Sequence, residues 1–134
     1  AVVVVVAVAA SRGKAPFFFF FLRVGMGRQL LANYANVEVM SFYGLLMEFA
    51  QQQQARVILR GLRAVSDFEF EFQMAGMNRS LYPGVETLFL TPSEQYMFVS
   101  ATIVREIALL GGAVDKFVHP LIAEQLRMRT GHNP

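Results

Sequence analysis

Cysteine is absent from this 134-residue chain, which excludes disulfides and thiolate zinc sites and leaves a reducing compartment permitted. Charge is scarce as well. Asp, Glu, Lys and Arg make up 16% of the chain against 54% hydrophobic residues, a balance that can bury a core and excludes a disordered chain. Twelve Lys and Arg stand against ten Asp and Glu, and no run of cations occurs. Without a basic stripe carrying interleaved aromatics, a nucleic-acid partner is not expected. Scattered cations suit phosphate groups met one at a time. The opening AVVVVVAVAA lacks a basic flank and is too short to span a bilayer, so the expectation is a cytoplasmic chain without a membrane partner. Neither a Ser/His/Asp constellation nor a His–acid spacing suited to a metal is found.

What is present reads as strands alternating with helices. Val2 to Ala9 is a β-branched run of the kind buried on both faces in a parallel sheet. A loop at Ser11 to Pro16 follows, then a stretch of helical length from Phe17 to Ala32. Val37 to Phe42 reads as the second strand, Leu45 to Gln53 as a helix, and Arg56 to Leu59 as the third strand. The next segment carries two periods at once. Phe68, Phe70 and Phe72 alternate like a strand, while Val65, Phe68, Phe72 and Ala75 recur at helical spacing. A helix is expected, because parallel strands need a crossover before the strand at Thr87 to Leu90. Ser100 is a natural N-cap for a helix from Ala101 to Leu110, stopped by Gly111-Gly112, and Pro120 opens a last helix that fades before Gly131. The sum is a single α/β domain over residues 1–134 with a parallel sheet and helices on both faces. Homopolymeric runs at Val2 to Val6, Phe17 to Phe21 and Gln51 to Gln54 are unusual in such a domain, and no function is assigned to them.

Ligands on parallel sheets gather at the carboxyl ends of the strands. Lys14, Arg60, Arg63 and Ser100 all lie just beyond a strand or at a helix start. The two arginines can each grip phosphate oxygens through two N–H groups, and the lysine offers a point charge. Amides at the helix start near Ser100 to Thr102 can hold further phosphate. Asp67 and Glu69 read as a solvated helix face, Met74 and Met77 as core or interface filler, and His119 as a helix-entry residue. Asn78 is read equally as a substrate contact or a helix-end cap.

At Arg60 the pattern becomes specific. RGLRAVSDFEFEFQMAGMNR, residues 60–79, resembles the central signature of bacterial phosphopantetheine adenylyltransferases, flanked by AVAAS with Lys14 just after it, NVEV, and TLFLTPSEQYMFVSATIVREIA. The register runs from about Ala7 to Phe117. The resemblance implies a Rossmann-like nucleotidyltransferase that moves AMP from ATP to 4'-phosphopantetheine, giving dephospho-CoA and pyrophosphate with Mg²⁺, as a cytoplasmic homohexamer open to inhibition by coenzyme A. It sends Lys14 and Arg60 to the pantetheine phosphate as catalytic and substrate-binding residues, and Leu46 to a pantetheine-contacting position. Gly61, Leu62, Arg63 and Glu71 go to ATP, as does the loop of Tyr96, Met97, Phe98, Val99, Ser100, Ala101 and Thr102. Ala101 stands where the family usually has a serine.

The family's Thr/His-x-Gly-His motif, which follows its first strand, does not occur. The nearest string, Arg129-Thr130-Gly131-His132, has the wrong spacing and is read as a decoy. The family's strand order, 3-2-1-4-5, would seat its first strand between Val2–Ala9 and Arg56–Leu59, and without it two apolar strands would face each other unpaired. The expectation is therefore that about 30 residues, one strand–helix unit, precede Ala1. Two other readings are weighed. One is another nucleotidyltransferase of the superfamily, against which Arg-Gly-Leu-Arg-Ala-Val argues; the other is a non-catalytic relic that binds nucleotide or coenzyme A.

Overall fold

The computed structural model describes residues 2–10 and 20–132, so Lys14 and the start of the Phe run lie outside the described residues. Those residues fall into two compact units, Ala1–Tyr43 with Val99–Pro134, and Gly44–Phe98.

In the first unit, β1 (Val4–Ala9) and β2 (Val37–Phe42) run parallel in unbroken register, from Val4 opposite Val37 to Ala9 opposite Phe42. The connection between them carries α1 (Phe20–Leu30), as a parallel pair requires. α1 approaches β2 closely: a Cβ on Gly27 would sit 3.2 Å from Val39 Cγ1. Arg28 then donates through Nε and Nη2 to the Val39 carbonyl at 3.4 and 3.3 Å. The sequence expects Val2 to Ala9 to be buried on both faces, and the structure differs. The ladder starts at Val4 and none of its residues is fully buried. α1 packs against β1, and among the described residues β1 pairs with β2 alone.

The same unit holds α4 (Ala101–Leu109) and α5 (Pro120–Thr130), whose facing residues Val104, Ala108, Ala123 and Leu126 form a core with Val114. Both helices begin as their sequences dictate. Ser100 Oγ accepts from Ile103 N–H at 3.1 Å, and His119 Nδ1 accepts from Leu121 N–H at 3.1 Å with Pro120 in the first turn. α4 ends in a Schellman arrangement: Gly111 in the left-handed region donates to Ala108 O at 3.1 Å, and Gly112 donates to Ile107 O at 2.8 Å. The string Thr130-Gly131-His132 also serves a helix end. Gly131 is left-handed, Thr130 Oγ1 donates to Leu126 O, and His132 Nε2 meets the Leu109 carbonyl at 2.9 Å.

The second unit repeats the strand–helix–strand plan. β3 (Val57–Gly61) pairs in parallel with β4 (Glu86–Leu90), Val57 opposite Glu86 and Gly61 opposite Leu90, across the crossover helix α3 (Val65–Leu81). The helical period thus wins over the strand period of Phe68, Phe70 and Phe72. α2 (Leu46–Gln52) buries Met47 and Ala50 against Val85, with Ile58 and Tyr82 packed beside them. α2 ends in the same Schellman geometry as α4, Ala55 donating to Ala50 O and Gln54 to Gln51 O, yet its left-handed residue is Gln54, at φ 56°.

Candidate active site

β3 alternates its side chains, so Ile58 and Arg60 share one face with Thr87, the cross-strand partner of Ile58. Above that face lies α3, and its orientation is inverted relative to an ordinary amphipathic helix. Its least exposed positions after the first turn are Glu71, Ala75 and Asn78, spaced four and three apart, while Phe68, Phe70, Phe72, Met77 and Leu81 are exposed. A helix that turns polar side chains inward and aromatic ones outward has a reason to keep polar groups inside.

The reason is a cavity of about 150 Å³ between α2, α3 and the β3–β4 pair, with Leu46, Ile58, Arg60, Glu71, Met74 and Asn78 in its wall. Four residues selected from sequence, Leu46, Arg60, Glu71 and Asn78, are therefore brought together. Leu46 opens α2, Arg60 stands one residue before the end of β3, and Glu71 and Asn78 stand two turns apart on α3. The walls combine apolar surface with one cation, one anion and one amide, the pattern of a site that binds an elongated ligand and orients it at one end.

At the charged end Arg60 and Glu71 form a two-point pair, Nε–H to Oε2 at 2.9 Å and Nη2–H to Oε1 at 2.5 Å. Hydrogen bonds from Arg60 hold the Glu71 carboxyl below the usual carboxylate range; partial burial opposes this and the positive charge reinforces it. Arg60 is correspondingly raised, first by the hydrogen bond to Glu71, so both groups are ionised at neutral pH.

Past the end of β3, Leu62 N–H donates to Leu90 O at 2.9 Å and extends the ladder beyond Gly61. Arg63 then pairs with Asp67 at 3.5 Å across the first turn of α3. Asp67, read from sequence as part of a solvated face, thus has a local partner. Tyr96 closes a short 3₁₀ turn (Glu94–Tyr96), and Met97 and Phe98 follow, the latter 85% exposed. Val99, Ser100, Ala101 and Thr102 belong to the first unit, where Ser100 caps α4 and Thr102 Oγ1 accepts from Arg105. The residues assigned to ATP are thus divided between the two units.

Met74, read from sequence as filler, is cavity wall, and Ile58, Phe70 and Thr87 are lining residues that the sequence reading did not single out. The signal existed for Met74: it lies three residues after Glu71 and four before Asn78, on the same helical face.

Residues 1–107 match the family model described as cytidylyltransferase-like. With two parallel strand–helix–strand units and cations at strand ends, this defines an α/β protein of the nucleotidyltransferase class. Among curated proteins, the phosphopantetheine adenylyltransferase of Nitrosospira multiformis is 78% identical over 126 residues, 94% of this chain and 76% of the relative. That of Nitrosomonas eutropha is 71% identical over 94% of this chain and 77% of its own length, and that of Aromatoleum aromaticum 67% identical over 92% and 76%. The chain belongs to the phosphopantetheine adenylyltransferase family.

Proposed function

We propose that the chain carries out adenylyl transfer from ATP to 4'-phosphopantetheine, giving dephospho-CoA and pyrophosphate in coenzyme A biosynthesis. The observation that carries this reading is the identity of 78% to a relative bearing that name, joined to a cavity lined by Leu46, Arg60 and Asn78.

The chemistry asks the protein to bring two polyanions together and offset their charge. An oxygen of the pantetheine phosphate attacks the α-phosphorus of ATP in line. The new P–O bond forms as the bond to the β-phosphate bridging oxygen breaks, and its electron pair leaves on pyrophosphate. No protein nucleophile is required. Arg60 and Lys14 take the attacking phosphate, and the pantetheine arm runs along Leu46 and Met74 towards Asn78. Gly61, Leu62, Arg63 and the segment from Tyr96 to Thr102 serve ATP, with the amides at the start of α4 suited to its phosphates. Mg²⁺ is proposed to arrive with ATP. Among the described residues no cluster of three or more His, Asp or Glu could hold a metal, so these residues do not fit a resident site, while Mg²⁺ is commonly held through substrate phosphates.

A homohexamer is supported by the exposed apolar side chains of α3: a face this rich in Phe and Met favours association with copies of the chain. A cytoplasmic location is in keeping with a pathway that uses ATP; no helix among the described residues is long and apolar enough to cross a membrane. Coenzyme A, which contains the pantetheine arm, is a fitting inhibitor of the same cavity. The test is pyrophosphate release by the purified protein. Release that requires both ATP and 4'-phosphopantetheine, and falls at least 100-fold in Arg60→Ala as expected for a displaced phosphate anchor, supports the reading. Ligand binding without release supports the relic reading instead.

A further inference from the structure

Glu71 is set towards Arg60 with a geometry that the transfer reaction itself does not demand. An arginine has five N–H donors in a rigid plane. Glu71 takes two of them, Nε–H and one on Nη2, and three are left over. The side chain of Arg60 is 43% exposed, that of Glu71 only 15%. The carboxylate is thus the better-fixed partner, mounted on a helix of 17 residues, and the arginine is the one that would otherwise sweep through solvent.

We propose that Glu71 is a positioning residue for Arg60: it pins one edge of the guanidinium so that the remaining three N–H groups stand ready for the phosphate of the incoming acceptor. The proposal rests on the reading of Arg60 as the phosphate anchor given above, and it gives Glu71 a role that does not require the nucleotide.

Two effects oppose each other when the carboxylate is neutralised. Loss of its repulsion on the bound phosphate, which carries nearly two negative charges, favours binding by about tenfold for charges about 6 Å apart screened by water. Release of the arginine restores rotamer freedom equivalent to about thirtyfold. Positioning wins by about threefold.

The experiment is a titration of 4'-phosphopantetheine, and separately of pantetheine without its phosphate, into wild type, Glu71→Gln, Arg60→Ala and the double variant. The side-chain Nε–H resonance of Arg60 is recorded in parallel, assigned by its loss in Arg60→Ala. Glu71→Gln is expected to weaken 4'-phosphopantetheine about threefold, to leave pantetheine within about 1.5-fold, and to have no effect once Arg60 is absent. The Arg60 resonance should be sharp in wild type and broadened in Glu71→Gln. Equal weakening of both ligands, an undiminished effect in the Arg60→Ala background, or an unchanged Arg60 resonance would each overturn the proposal. If wild type binds neither ligand, the adenylyl-transfer reading fails and the resonance alone decides whether Glu71 positions Arg60.

Discussion

The two Schellman stops make opposite demands, and three substitutions test both. At Gly112 an added Cβ would lie 2.7 Å from Ile107 Cγ2 and 3.2 Å from Ile107 O, the carbonyl that accepts Gly112's own N–H. Ile107 is β-branched and packs against the α4–α5 core, so its methyl cannot swing aside freely. Relief means forcing the side chain off its rotamer, about 1 kcal/mol, or losing the capping bond, about 1 kcal/mol. Gly112→Ala should therefore cost about 1–2 kcal/mol. For Gly111→Ala the cost is conformational, about 1 kcal/mol for an L residue at φ 80°, with a Cβ 3.3 Å from the His132 ring. Gln54 already occupies the equivalent position in α2 at φ 56°, so Gln54→Gly should gain about 0.5 kcal/mol once glycine's extra chain entropy is deducted. Urea unfolding followed by circular dichroism reads all three as shifts in midpoint at constant slope. A Gly112→Ala midpoint equal to wild type, or a lowered one for Gln54→Gly, would refute the reasoning. The stakes are functional: α4 is the helix whose first turn is assigned to the ATP phosphates.

Two further outcomes can be measured. Glu71 is held below its ordinary range, so its contribution to stability is complete above the unfolded carboxylate value, about 4.3, and is lost as pH falls through the lower folded value. With Arg60 substantially exposed, this amounts to about 1 kcal/mol at most; unfolding free energies from pH 6 to pH 3 should fall less steeply in Glu71→Gln than in wild type, and parallel curves would contradict the pairing. Ser100→Ala removes the acceptor for Ile103 N–H and should cost about 1 kcal/mol while weakening ATP binding; unchanged stability would show that water caps α4 equally well.

Much of this architecture was legible because crossover rules leave few choices. Alternation of Phe68, Phe70 and Phe72 argued for a strand, helical spacing of Val65, Phe68, Phe72 and Ala75 argued equally for a helix, and the need to connect two parallel strands decided for the helix that forms. What the period could not reveal was which face of α3 turns inward. Helical spacing selects Val65, Phe68, Phe72 and Ala75 as one stripe, yet the structure exposes Phe68 and Phe72, their rings stacked 5.6 Å apart, and turns Glu71 and Asn78 towards the cavity. Hydrophobicity orients a helix when the core is the only thing beneath it, and here a cavity walled by Arg60 lies beneath it. The pairing of Arg60 with Glu71 was hidden for a related reason. Eleven residues separate them, and they meet only because the chain reverses from β3 into α3. Individual cavity residues were singled out through the family signature, whereas the contact between two of them was not.

The composition of the two strand edges carries a consequence for any form of the protein in which they are left uncovered. Among the described residues β1 has a ladder partner on one edge only, and its sequence from Val4 to Ala9 is six β-branched or small apolar residues without charge or proline. Segments of that composition stack in register between chains and form dry, interdigitated sheets. Among the described residues β3 likewise pairs on one edge only, but Arg60 sits in it, and a charge in an edge strand discourages such stacking. Where the β1 edge is uncovered, self-association should therefore start at β1 and not at β3, should steepen with concentration, and should be suppressed by a single lysine introduced at Val4, an exposed position of that strand.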